Sequence, residues 1–105
     1  MKTAINLTQA PNQSVSANIT EPDGTTHIVD IKLRTMPTRY LIMDMGVDDT
    51  PLFYGRRCIN KMPLMLGHTL PGNFYFYDQY GNTDPEYTGL SKRYLLIYDD
   101  EYELG

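Results

Sequence analysis

The chain has no tryptophan, and its single cysteine is Cys58. One cysteine excludes an internal disulfide, and with it the stapled scaffolds of small secreted proteins. Histidine is nearly as scarce. His27 and His68 are the whole supply, and neither has a partner at metal-ligand spacing, so both read as structural. Cys58 follows Arg57 but no Cys/His arrangement accompanies it, and a buried strand cysteine is expected. Asp44, Asp48 and Asp49 gather around Gly46 without the spacing or terminal glutamate of a calcium loop. The glycines form no phosphate-cradling motif. The expectation is no catalytic set, no metal and no cofactor. No run approaches the roughly 18 apolar residues of a membrane helix. The start, Met1 to Asn6, carries one lysine and no apolar stretch behind it, so synthesis in a cytoplasm and no membrane association are expected. Basic residues are outnumbered, nine Lys and Arg against thirteen Asp and Glu, for a net charge of −4. They are also scattered, which removes the basic stripe that nucleic-acid recognition needs.

Within 105 residues, 41% are hydrophobic and 21% charged, as in an ordinary single globular domain. The patterning is that of strands. Val15, Ala17 and Ile19 alternate with Ser14, Ser16, Asn18 and Thr20; Val29, Ile31 and Leu33 alternate with Asp30, Lys32 and Arg34. A period of two puts each apolar set on one face. Pro22-Asp23-Gly24 between them supplies a preset φ and a residue free to take positive φ, so the pair reads as a β-hairpin. Further strands are expected over Arg39–Met45, within Leu52–Met62, over Asn73–Tyr77 and over Arg93–Tyr98, with a short one at Ile5 and Leu7. Gly46 to Pro51 reads as a turn. The best helical candidate is Lys61 to Leu66, with Pro63 in its first turn. These elements predict an all-β fold. It is a small single-domain sandwich or partly open barrel of about seven short antiparallel strands. Residues 1–98 form the domain and 99–105 an acidic C-terminal tail. The basic middle, with Arg56, Arg57 and Lys61, and the acidic end, Asp99-Asp100-Glu101, form a pair able to meet between subunits.

Tyrosine is the abundant aromatic, with nine copies. Tyr75, Tyr77, Tyr80, Tyr87, Tyr94, Tyr98 and Tyr102 all lie in the last third. A large apolar ring with a polar tip suits a partly wet interface. The strands Asn73–Tyr77 and Tyr94–Tyr98 are apolar on both faces, more than one small core can bury. This points to protein binding, with Tyr75, Tyr77, Tyr87, Arg93, Tyr94 and Tyr98 as candidate interface residues.

The stretch Asp84-Pro85-x-Tyr87-x-Gly89-Leu90-x-x-Arg93-x-Leu95-Leu96-x-Tyr98 resembles the closing motif of the small baseplate plug proteins of contractile-tailed phages, typified by the cyanophage plug. The layout upstream agrees: Leu7 to Gln13, the strand–turn–strand of Val15 to Leu33, Tyr40 to Asp44, and Pro51-Leu52-Phe53-Tyr54-Gly55. The resemblance implies a non-catalytic structural protein of the virion, made in the host cytoplasm. Such a protein sits at the distal end of the tail tube near the hub and spike. The implied partners are further copies of itself in a ring or trimer, and the tail-tube, hub, spike and tape-measure proteins. The alternative from another class is a carbohydrate-binding β-sandwich module of a tail component, using tyrosines as platforms. Physically, Asp84-Pro85 stiffens the start of the motif, Gly89 permits a left-handed or bulged backbone before the last strand, and Leu90 completes the structural motif. Arg93 is expected to pair with Asp84 or Glu86.

Overall fold

The alternation in the first half folds as its period demands. β2 (Asn12–Thr20) and β3 (Thr26–Thr35) pair antiparallel in unbroken register, Asn12 opposite Arg34 through Thr20 opposite Thr26. Gly24, at φ 94°, takes the positive-φ position of the turn, closed by the Gly24 N–H donating to the Glu21 carbonyl at 2.9 Å. The computed structural model describes residues 2–65 and 70–102. β1 (Lys2–Ile5) precedes the hairpin, and β4 (Leu41–Val47), β5 (Thr50–Arg57), β6 (Asn73–Asp78) and β7 (Tyr94–Asp99) follow it. The strands form two antiparallel sheets, a four-stranded meander β2-β3-β4-β5 and a three-stranded sheet β1-β7-β6. The fold is the small all-β domain expected, without a closed barrel. Among the described residues no helix is long and apolar enough to cross a membrane.

One buried cluster joins the sheets. Val29, Ile31, Leu33, Met43 and Met45 come from the larger sheet; Phe74, Phe76, Leu96 and Tyr98 come from the smaller. Each fully buried aliphatic or aromatic side chain is worth roughly 1.5–3 kcal/mol of transfer free energy. The Phe74 and Tyr98 rings meet at 4.8 Å and 43°, a tilted packing.

Several boundaries differ from the sequence reading, each for a local reason. Strand β4 begins at Leu41, because Arg39 lies in the preceding turn at φ 74°. The expected turn over Gly46 to Pro51 shrinks to Asp48 and Asp49, both at positive φ (51° and 66°). Gly46, Val47, Thr50 and Pro51 join the ladder. Such a two-residue turn matches the strand twist. Gly55, at φ 63°, sits where the β4–β5 register shifts, so β5 ends early at Arg57. No helix forms over residues 61–65; Leu66 and His68 lie outside the described residues. That segment runs beside β6 instead, with Lys61 N–H donating to the Phe76 carbonyl at 2.7 Å and Leu64 N–H to Phe74 at 2.9 Å. Asn73 fixes it further: its buried amide accepts from Met65 N–H and donates to the Met65 carbonyl, both at 2.8 Å. Gly72, at φ 79°, is required by crowding, since a Cβ there would lie 1.9 Å from the Asp99 carbonyl oxygen. Asp99 itself belongs to β7, opposite Lys2.

Candidate interaction face

The smaller sheet is apolar on the side away from the core. Register places Tyr77 opposite Leu95, Tyr75 opposite Ile97, and Ala4 opposite Ile97 from the other flank. Their neighbours Phe74, Phe76, Leu96 and Tyr98 point into the core, so strand alternation forces this second set outward. Tyr77 is 40% exposed, and the Lys61 ammonium stands 5.7 Å from its ring centroid. Tyr75 is half-buried against Tyr102, with ring centroids 5.6 Å apart. Leu95 and Ile97 are also half-buried. Aromatic and aliphatic groups thus form one band across three strands, with a tyrosine tip at one flank, which is the make-up of a protein-binding surface.

A polar knot holds one end of this face. The Asp78 carboxylate is fully enclosed and accepts five hydrogen bonds. Arg93 donates two of them, from Nε at 2.8 Å and Nη2 at 3.0 Å. The others come from Tyr80 N–H at 2.9 Å, and from Thr83 N–H and Oγ1 at 3.0 Å each. A bidentate guanidinium and two backbone donors satisfy the buried charge, as burial requires. Arg93 beside it, aided by the Tyr80 and Thr83 donors, holds the Asp78 carboxyl well below the usual carboxylate range, and Asp78 in turn raises Arg93. Thr83 also reaches the Tyr94 hydroxyl at 3.0 Å. The loop from Gln79 to Arg93 is therefore anchored by its own flanking residues. Asp84 anchors it a second time, accepting the Asn60 N–H at 3.0 Å, with Arg57 3.9 Å away.

The structure sorts the six candidate interface residues. Tyr75 and Tyr77 lie on the outer band. Tyr87 is half-buried at the margin of the core, in a 3-10 turn, Tyr87–Gly89. Arg93 is engaged with Asp78, not with Asp84 or Glu86, because Asp78 leaves β6 where Arg93 leads into β7. Tyr94 and Tyr98 are core residues, 5% and 2% exposed. Tyrosines four apart on a strand share a face, and here that face is the inner one. The Tyr98 hydroxyl donates to the Pro71 carbonyl, and burial pushes its pKa up to about 12. Of the motif residues, Pro85 and Leu90 are buried. Gly89 does not adopt positive φ; the glycine is needed because a Cβ would lie 2.8 Å from the Tyr94 ring. Leu95 and Ile97 carry the face yet are absent from the sequence-derived candidates. Their signal was present in the two-sided apolarity of β7.

Of the remaining chemical candidates, Cys58 is turned inward and His27 is paired, while His68 lies outside the described residues. Cys58 is buried, and desolvation pushes its thiol up to about 12, an unreactive form. His27 sits between Asp48 and Glu21, each 2.6 Å away. Arg56 lies over Phe53 and Arg57 over Tyr40 at 5.3 and 4.6 Å, so part of the basic middle is occupied within the chain.

A search of curated proteins finds no match to the chain. The family model described as cyanophage baseplate Pam3 plug gp18 matches residues 2–101, nearly the whole chain. A two-sheet domain whose smaller sheet is apolar on both sides, matched end to end by that model, belongs to the cyanophage baseplate plug family.

Proposed function

We propose that this plug sits at the distal end of a contractile phage tail tube, next to the hub and spike, and works by contact alone. The family makes it a baseplate component that associates with other tail proteins. In this reading the finer partners are tail-tube, hub, spike and tape-measure proteins, together with further copies in a ring or trimer. The observation that carries it is the outer band of Tyr75, Tyr77, Leu95 and Ile97, an apolar face that Tyr102 and Lys61 cover only in part among the described residues. Leu95→Glu puts a charge in its centre. Binding to purified tail-tube or hub protein, measured by calorimetry, is expected to weaken about 30-fold or more, while the melting curve stays near wild type. Unchanged binding with an intact fold would refute this face as the docking surface.

One feature favours the second reading, glycan binding. Tyr54 is 73% exposed beside a cavity of about 540 Å³ on the outer face of the larger sheet, lined also by Ser14, Asp30, Lys32 and Asp49. A flat ring next to hydroxyl and carboxylate groups can stack on a sugar. Selective glycan-array binding, lost in Tyr54→Ala, would support it.

A further inference from the structure

The two sheets end in four edges, and three of them are guarded. β5 carries Pro51, a register shift at Gly55 and two arginines, Arg56 and Arg57. β6 is flanked by the segment that bonds to the Phe74 and Phe76 carbonyls. β1 is only four residues long and contains Lys2. These are the usual ways of blocking edge-to-edge pairing. β2 has none. It is nine residues of unbroken register, Asn-Gln-Ser-Val-Ser-Ala-Asn-Ile-Thr, with no charge, proline, glycine or bulge, in a chain where 21% of residues are charged. Its inward residues Val15 and Ala17 are only half-buried at the margin of the core.

We propose that β2 is a homodimerisation edge, pairing antiparallel with β2 of a second copy about a two-fold axis at Ser16. The sequence is matched to itself in that register. Asn12 falls opposite Thr20, Ser14 opposite Asn18, and Ser16 opposite its own copy, all on the exposed outer face. Gln13 falls opposite Ile19 and Val15 opposite Ala17 on the inner face, so each half-buried apolar residue gains an apolar neighbour. Each copy carries a net charge of −4, and an uncharged strand is where two such copies approach with least repulsion. Two-fold pairing consumes both edges and closes, so it yields dimers and not fibres. A strand of this length spans roughly 30 Å, and the interface falls in the small, weak class, with a dissociation constant on the order of 10–100 μM. This pairing goes beyond the plug reading and does not depend on it.

Sedimentation equilibrium of the purified chain alone tests it. The mass is expected to rise from 12.1 kDa toward twice that with concentration. Ser16→Lys and Ser16→Glu each set like charges face to face at the axis, and each is expected to stay monomeric. Both lose the Ser16–Asp30 hydrogen bond and the glutamate faces Asp30, so a small drop in melting temperature is expected, with the β-sheet circular dichroism of wild type showing that each remains folded. An equimolar mixture of the two restores the dimer, because the charges across the axis are then opposite. A wild-type chain that stays monomeric to about 1 mM, well above the weak range, overturns the proposal. So do variants that dimerise as tightly as wild type, or a mixture that remains monomeric. A chain that pairs only with a different protein also overturns it. None of these outcomes bears on docking to tube or hub protein.

Discussion

The two sheets share one core but turn different characters outward. The four-stranded sheet shows mainly polar groups, Ser14, Ser16, Asn18, Asp30 and Lys32, with Ile28 and Tyr54 exposed among them; Ser16 is tied to Asp30 at 2.6 Å and Arg34 to the half-buried Asp44 at 3.0 Å. The three-stranded sheet shows Tyr75, Tyr77, Leu95 and Ile97. A sheet needs only one apolar face to build a sandwich. The second apolar face of the smaller sheet therefore adds nothing to the shared core, and it is the surface the proposed docking would use.

Neighbouring residues of β6 provide the sharpest test of this division. Phe76→Ala empties the core and is expected to cost about 3–5 kcal/mol. Tyr77→Ser, one residue on, is expected to cost under about 1 kcal/mol yet weaken partner binding; thermal melts and calorimetry on both variants separate the two faces. Asp78→Asn should produce the next largest loss of melting temperature, since it strands Arg93 and loosens the loop that frames the face. Limited proteolysis between Gln79 and Lys92 reports that loosening. On the polar sheet, Asn18→Glu is expected to leave tube or hub binding unchanged where Leu95→Glu abolishes most of it. Equal effects would erase the distinction between the sheets.

The smallest effect comes from pH, and the two sheets differ there as well. Hydrogen bonds that the protonated His27 ring donates to the Asp48 and Glu21 carboxylates raise its pKa above the usual value. A group whose pKa is higher folded than unfolded stabilises fully below its unfolded value, about 6.5, and loses that contribution as pH rises through the folded value. His27→Gln is therefore expected to lower the melting temperature more at about pH 6 than at about pH 9. Asp78 behaves oppositely. Its depressed pKa gives a contribution present above the usual carboxylate range and lost only as pH falls through the lower folded value. Across the range where His27 titrates, the Asp78–Arg93 knot is constant. Melting curves of wild type and both variants across that range check the sign of each.

The fold was largely legible because period-two alternation survives averaging over neighbours. The β2–β3 hairpin needed only Val15, Ile31 and their partners, with Gly24 at the turn. The candidate face was legible in part. Two-sided apolarity marks β6 and β7, but alternation alone leaves the inner side of β7 open, and the polar tips of Tyr94 and Tyr98 favour an outward placement that the core packing overrides. Leu95 and Ile97 carry only apolar bulk, which a core and an outer face use alike, whereas the tyrosines beside them carry a polar tip. The knot was hidden for a different reason. Asp78 and Arg93 are fifteen residues apart, and only the antiparallel pairing of β6 with β7 brings one to the other. The absence of a helix over residues 61–65 follows from tertiary bonds to Phe74, Phe76 and Asn73 that override local preference.

In the three-stranded sheet the strand at the centre is β7, flanked by β1 and β6. During synthesis the middle of that sheet thus leaves the ribosome last. The meander β2-β3-β4-β5 joins strands adjacent in sequence and can assemble while the chain is still growing, since local pairings close short loops. β1 emerges first and must wait, unpaired, until Leu96 to Asp99 arrive to meet it. Amides of β2 to β5 should accordingly become protected from exchange before those of β1. The outer apolar band, which spans β1, β6 and β7, comes into being only as β7 settles, so a half-made domain does not yet present it.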